Sequence, residues 1–140
     1  MGEDVLNPFA TRIWARLVLE YPEWQQYRGT LPGGDLECAV PAPSGSHAGH
    51  LILFTSEGRD LWVRYSPPQM CYPLDDEDEM LSIVRQLLRN EALFVVTRKA
   101  DEWTGTTLIR PGQEPDVPTG EVANIVSWSG ALDRTVDGRA

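Results

Sequence analysis

The side chains able to carry out chemistry are few and far apart. His47 and His50 form a His-x-x-His pair inside a Ser/Gly-rich stretch. That spacing can serve a metal, but a structural zinc site takes four ligands, and only the distant Cys38 and Cys71 could complete the set. Neither cysteine stands in a Cys-x-x-Cys pair, so the histidines are expected to be solvated loop residues and no metal is expected. Nucleophilic catalysis needs a Ser or Cys beside a base, and Cys71 with His50 is the one Cys/His pairing to consider. Cys71 lies between Met70 and Tyr72 in a Pro-rich stretch without a Gly-rich elbow, which argues against that use. The phosphate-cradling signatures Gly-x-Gly-x-x-Gly and Gly-x-x-x-x-Gly-Lys do not occur. No catalytic residue and no cofactor are therefore expected.

The carboxylates are concentrated in one run, Asp75-Asp76-Glu77-Asp78-Glu79. A run offers no geometry that would push two carboxyl pKa values apart for acid/base work. It has two other uses. One is to cap a helix and solvate its first turn. The other is to present a negative patch that steers a basic partner onto the surface. Met70 and Tyr72 sit just before the run, and aromatics beside charge are typical of interface centres. Trp62 is out of phase with Leu61, Val63 and Tyr65, so it lies on the opposite face of its strand. That face is either covered by the first helix or used for binding. The expected partner-contacting residues are Trp62, Met70, Tyr72, Asp75, Asp76, Glu77, Asp78 and Glu79.

The elements that position these residues read as follows. Asn7 is a candidate N-cap and Pro8 suits a first helical turn. Phe9, Ile13, Leu17 and Tyr21 then recur at helical spacing, and Pro22 ends the helix or begins a separate short turn containing Trp24 and Tyr27. Strands are predicted over 36–40, 51–55 and 61–65, with a Gly-containing turn at 56–60 making the last two a hairpin. Residues 66–73 read as an irregular connection. Met80, Ile83, Val84, Leu87 and Leu88 define a second helix, capped by Asp75 or Asp76 and ending near Arg85 and Arg89. Strands over 93–99 and 103–110 form a second hairpin. A Pro-rich loop spans 111–120, and 122–128 fits a strand or a short helix. The expectation is one α+β domain over 1–130: an antiparallel β-sheet of about five to six strands with two main helices packed on it. Residues 131–140 are expected to be a frayed tail.

Composition narrows the function classes. The chain has 140 residues, enough for one domain with a sizeable core. Its net charge is −9, with 12 Lys and Arg scattered along it. Phosphate binding needs clustered basic side chains, so nucleic acid is not an expected partner, and neither is an anionic membrane. No apolar stretch approaches the roughly 18–20 residues of a membrane span, and no signal peptide is recognisable. The cytoplasm is the expected compartment. Two cysteines are too few for a disulfide scaffold. The charge favours a basic protein partner.

Over roughly residues 36–110 the layout resembles small immunity proteins of bacterial polymorphic-toxin systems. The similar parts are the strand Leu61-Trp62-Val63-Arg64-Tyr65, an irregular aromatic-bearing link, and an acid-capped helix. Leu93-Phe94-Val95-Val96 and Trp103-Thr104-Gly105 follow. Where family members often carry a His-x-His-aromatic stretch in the link, this chain has Pro68-Gln69-Met70-Cys71-Tyr72. The resemblance implies no catalytic residues and no cofactor. It implies a cognate toxin whose active site is occluded, and the acidity fits a basic, nucleic-acid-processing toxin. An adaptor or chaperone-like module of a secretion system is the alternative, and an enzyme built on Cys71 and His50 is a third reading. The oligomeric state is not readable.

Overall fold

The computed structural model describes residues 5–66 and 71–138. Helix α1 runs from Pro8 to Glu20 and opens as the sequence predicts. The Asn7 side chain accepts a hydrogen bond from the Ala10 amide at 2.8 Å, and Pro8 occupies the first turn, where no N–H is needed. Ala10, Ile13 and Leu17 face inward. A 3-10 turn at Pro22–Tyr27 buries Trp24, whose ring stacks on Tyr21 at 4.1 Å. Helix α2, Glu77–Leu88, buries Met80, Val84 and Leu87.

The α+β class holds, but the strands form two antiparallel sheets instead of one. The first has the order β1 (Arg28–Thr30), β2 (Leu36–Pro41), β3 (His50–Ser56), β4 (Asp60–Tyr65), β5 (Tyr72–Leu74). The second has the order β7 (Glu102–Ile109), β6 (Leu93–Lys99), β8 (Val122–Val126), β9 (Arg134–Asp137). Strand β6 explains the division. Leu93, Phe94, Val95 and Val96 are all buried, so this strand needs cover on both faces and flanking strands on both sides. It takes the centre of a new sheet, between β7 and β8.

One open reading is decided, and strands stand where the sequence predicted none. Residues 122–128 resolve to a strand, Val122–Val126. The irregular link contains the three-residue strand β5, whose Pro73 is tolerated because β5 is an edge. The tail is not frayed through its length: Arg134–Asp137 pairs with β8 in the register Val122↔Asp137 to Ile125↔Arg134. Short strands such as β1, β5 and β9 carry too little alternation to be seen in sequence, and their partners' ladders recruit them.

The inner faces of both sheets meet the apolar sides of both helices in one core. Tyr65 of β4 joins the sheets, with its ring edge-on to Phe94 at 4.8 Å and tilted against Trp128 at 5.9 Å. The outer face of the second sheet has its own smaller core, Leu93, Val95, Ile109, Ala123 and Ile125, with Val117 of the Pro-rich loop packed on it. The outer face of the first sheet belongs to neither core.

Candidate functional site

That outer face carries the first candidate surface. Strand alternation places Phe54 and Ile52 of β3 beside Trp62 and Arg64 of β4, paired Phe54↔Trp62 and Ile52↔Arg64. Pro73 of β5 lies opposite Trp62 and Ala39 of β2 opposite Ile52. The Trp62 indole N–H donates to Ser56 Oγ at 2.9 Å, which fixes the ring. The Arg64 guanidinium donates to the carbonyls of Tyr65 and Ser66 at 3.2 and 3.1 Å and lies 5.9 Å from the Phe54 ring centre. Phe54, Trp62 and Arg64 are each half-buried. Helices α1 and α2 and the second sheet all pack on the opposite face, so the first helix does not cover Trp62. Phe54 and Ile52 were not singled out from sequence. Their signal is residues 51–54, four consecutive apolar residues, which in a strand must place two on each face.

The acidic run is largely engaged within the chain. Asp76 is the N-cap of α2 and accepts from the Glu79 amide at 2.8 Å, while Glu79 Oε1 accepts from the Asp75 amide at 2.9 Å. Glu77 pairs with Arg12 and, at 3.5 Å, with Arg16. Asp78 accepts from Arg16 at 2.9 Å, and this bond raises the Arg16 pKa above its usual value. Arg85 reaches Glu20 at 3.0 Å at the other end of the helix pair. The run is therefore a cap and a helix-to-helix clamp. Asp78 stays 86% exposed.

The expected contact residues do not converge on one patch. Trp62 is on the outer face of the first sheet. Tyr72 pairs with Val63 and packs from the inner side, and the acidic run sits at the start of α2. Met70 lies outside the described residues. The aromatic found exposed is Trp103, 47% accessible, on the edge strand β7 with its indole N–H on Thr106 Oγ1 at 3.0 Å.

The groups weighed for chemistry are held apart. Both cysteines are free thiols. Burial pushes the Cys38 thiol up to about 12, and burial also raises Cys71, with Arg64 opposing the rise; both shifts disfavour the nucleophilic thiolate. His50 bonds Ser66 Oγ through Nδ1 at 3.0 Å. His47 bonds Asp133 through Nδ1 at 2.9 Å. Asp133 in turn accepts from the Ser127 amide and hydroxyl at 2.6 and 2.9 Å. The Ser127 hydroxyl thus donates to the carboxylate and not to the imidazole, which is not the order a nucleophilic serine needs. Ser46 Oγ adds a bond to the Trp128 carbonyl at 2.8 Å, so this cluster ties the β2–β3 connection to the turn after β8. Among the described residues no group of three or more His, Cys, Asp or Glu is placed to hold a metal ion, and no helix is long and apolar enough to cross a membrane. No family model, curated protein or solved structure matches the chain.

Proposed function

We propose that this chain is a binding protein of the immunity type. It neutralises a cognate bacterial toxin in the cytoplasm by occluding the toxin's active site, and the outer face of the first sheet is the contact surface. One observation carries the reading: Phe54 and Trp62 form a half-buried aromatic pair, beside the buried Ile52, on a sheet face opposite both helices and the second sheet. Half-buried aromatics held by a hydrogen bond and by a locked arginine lose little freedom on binding, which is the property of interface anchors. The net charge of −9 makes a basic partner the favoured one, through faster encounter at low salt. The acidic run adds to that field, chiefly through the exposed Asp75, since Glu77 and Asp78 are paired with Arg12 and Arg16.

The test has two stages. The tagged protein captures partners from a lysate of its native cells, washed at low and high salt. Each recovered protein is then expressed alone and together with this chain. The reading expects one recovered basic protein to arrest growth alone, with arrest relieved by the wild-type chain and not by a Trp62→Ser/Phe54→Ser variant that remains folded. A recovered partner that is harmless alone sinks the neutralising role and leaves delivery assistance, the adaptor reading. Equal protection by the double variant sinks the surface.

A further inference from the structure

We propose that the cleft between the outer face of β6–β7 and the connection 110–121 binds an organic cation, an ammonium or guanidinium group on a short aliphatic stem. The inference does not rest on the toxin reading.

The connection leaves β7, crosses the outer face of the second sheet and enters β8. It seals only part of that face: Val117 packs on the small core, and beside it a cleft of about 480 Å³ remains. That volume suits a small organic ligand, since such sites run from about 300 to 1,000 Å³. Its inner wall is apolar where Val95 and Ile109 line it, and hydroxylic at Thr97, Thr104 and Thr107. Its outer wall carries Asp116 and Glu121. Glu114 also lines it but is engaged by Arg134 at 3.5 Å. No Lys, Arg or His lines the cleft among the described residues.

Glu121 is held in place by hydroxyls. The Thr104 hydroxyl donates to its carboxylate, the Thr97 hydroxyl lies 2.9 Å from Thr104 Oγ1, and Thr97 also reaches the Gly105 carbonyl at 3.4 Å. Strand β7 carries an extra residue at this point, where the register shifts between Thr97 and Arg98. The bulge turns Thr104 toward Thr97, and such bulges commonly re-aim a side chain. The result is a carboxylate held by a hydroxyl in a cleft whose lining, among the described residues, holds no basic side chain; the nearby Arg134 is taken by Glu114. Glu114, Asp116 and Glu121, only the first of which is paired with Arg134, disfavour an anion there. A cation would pair with Glu121 and Asp116 while its stem lies along Pro115 and Pro118 of the connection, over the buried Val95 and Ile109. The source of the cation is either a free small molecule or a Lys or Arg side chain on a protein surface.

The experiment is an amide chemical-shift titration of the full chain with agmatine, a guanidinium and an ammonium joined by a four-carbon stem. Sodium glutarate and sodium chloride at matched ionic strength are the controls. A peptide with one Arg between neutral glycines forms a second arm. The proposal expects saturable shifts confined to Thr97, Thr104, Thr107, Asp116 and Glu121 with agmatine, and none with the controls. Asp116→Asn/Glu121→Gln should weaken binding about tenfold or more, the scale of a lost charge-assisted hydrogen bond. Thr104→Val keeps both charges but releases Glu121, and should weaken binding several-fold. Tighter binding of agmatine than of the peptide identifies a free cation as the source, and the reverse identifies a partner's side chain. Shifts spread equally over 75–79, or binding unchanged in the double carboxylate variant, would mean a diffuse counter-ion atmosphere and overturn the site. Absence of any shift at tens of millimolar agmatine overturns it as well.

Discussion

Phe54 and Trp62 stack across the β3–β4 hairpin with ring centres 6.3 Å apart and planes 13° from parallel, on the sheet face opposite both helices. The pair is cross-strand, so the hairpin register sets its geometry and no loop is involved. A rigid aromatic pair on a strand scaffold is a surface that can bind without first being ordered.

If this pair is the centre of the interface, Trp62→Ala should cost about 2 kcal/mol or more of binding energy, roughly thirtyfold in affinity, as anchoring tryptophans do. Ser56→Ala removes the indole's hydrogen-bond partner and should cost less. Titration calorimetry against the captured partner measures both. An unchanged Kd for Trp62→Ala would move the interface elsewhere.

The acidic run should respond to reversal position by position. Glu77→Lys places three cations together with Arg12 and Arg16 and should lower the thermal midpoint, whereas Asp75→Lys should leave it nearly unchanged. Added salt should narrow the difference, since the pairs are partly exposed. Asp76→Ala removes the N-cap and should cost about 1 kcal/mol. Equal midpoints for the two lysine variants would refute the clamp between the helices.

Asp35 is a buried junction. Its Oδ1 accepts from the Thr55 hydroxyl at 2.9 Å, from Asn7 Nδ2 at 3.0 Å and from the Gly58 amide at 3.2 Å. The Thr55 hydroxyl also accepts from the Leu36 amide at 2.9 Å. One carboxylate thus ties the start of α1 to the turn of the β3–β4 hairpin. Asp35→Ala strands these donors and should cost about 2–3 kcal/mol, read as a lower urea midpoint at unchanged m-value. A loss under half a kcal/mol on the same measurement would show that water replaces the carboxylate without penalty.

Stability should fall in alkali, beginning near pH 9. Burial raises the Cys38 thiol from 9.0 to about 12, and burial together with Asp133 raises the Tyr65 phenol above its usual 10.0. Both groups hold their protons more tightly when folded. The stabilisation is complete below the unfolded pKa values and is lost as pH rises, from 9 for the thiol and from 10 for the phenol. Urea midpoints measured from pH 8 to 11 should show the decline, and Cys38→Ala should delay its onset. The Tyr65 hydroxyl is buried with no hydrogen-bond partner among the described residues, so Tyr65→Phe should raise stability at pH 7 by about 1 kcal/mol. A destabilised Tyr65→Phe would mean that the hydroxyl is bonded to water.

The sequence by itself determined the local elements. The Asn7-Pro8 start of α1, the stripe from Met80 to Leu88, an N-cap at Asp75 or Asp76 and the two hairpins follow from period, capping chemistry and turn residues, all of which act within a few residues along the chain. It also placed Trp62 on the face opposite Leu61, Val63 and Tyr65, because strand alternation is strict. Only the tertiary structure decided the rest. The split into two sheets turned on β6 being apolar on both faces, a pattern that says "buried" without saying beside which strands. Strands β1, β5 and β9 exist because a partner's open edge accepts them, and their own three or four residues carry no signal. The fate of the acidic run was settled at a distance: Arg12 and Arg16 lie more than 60 positions away in the chain and meet Glu77 and Asp78 only once α1 packs beside α2. Charge is legible in a sequence, whereas its neutralising partner depends on which surfaces fold together.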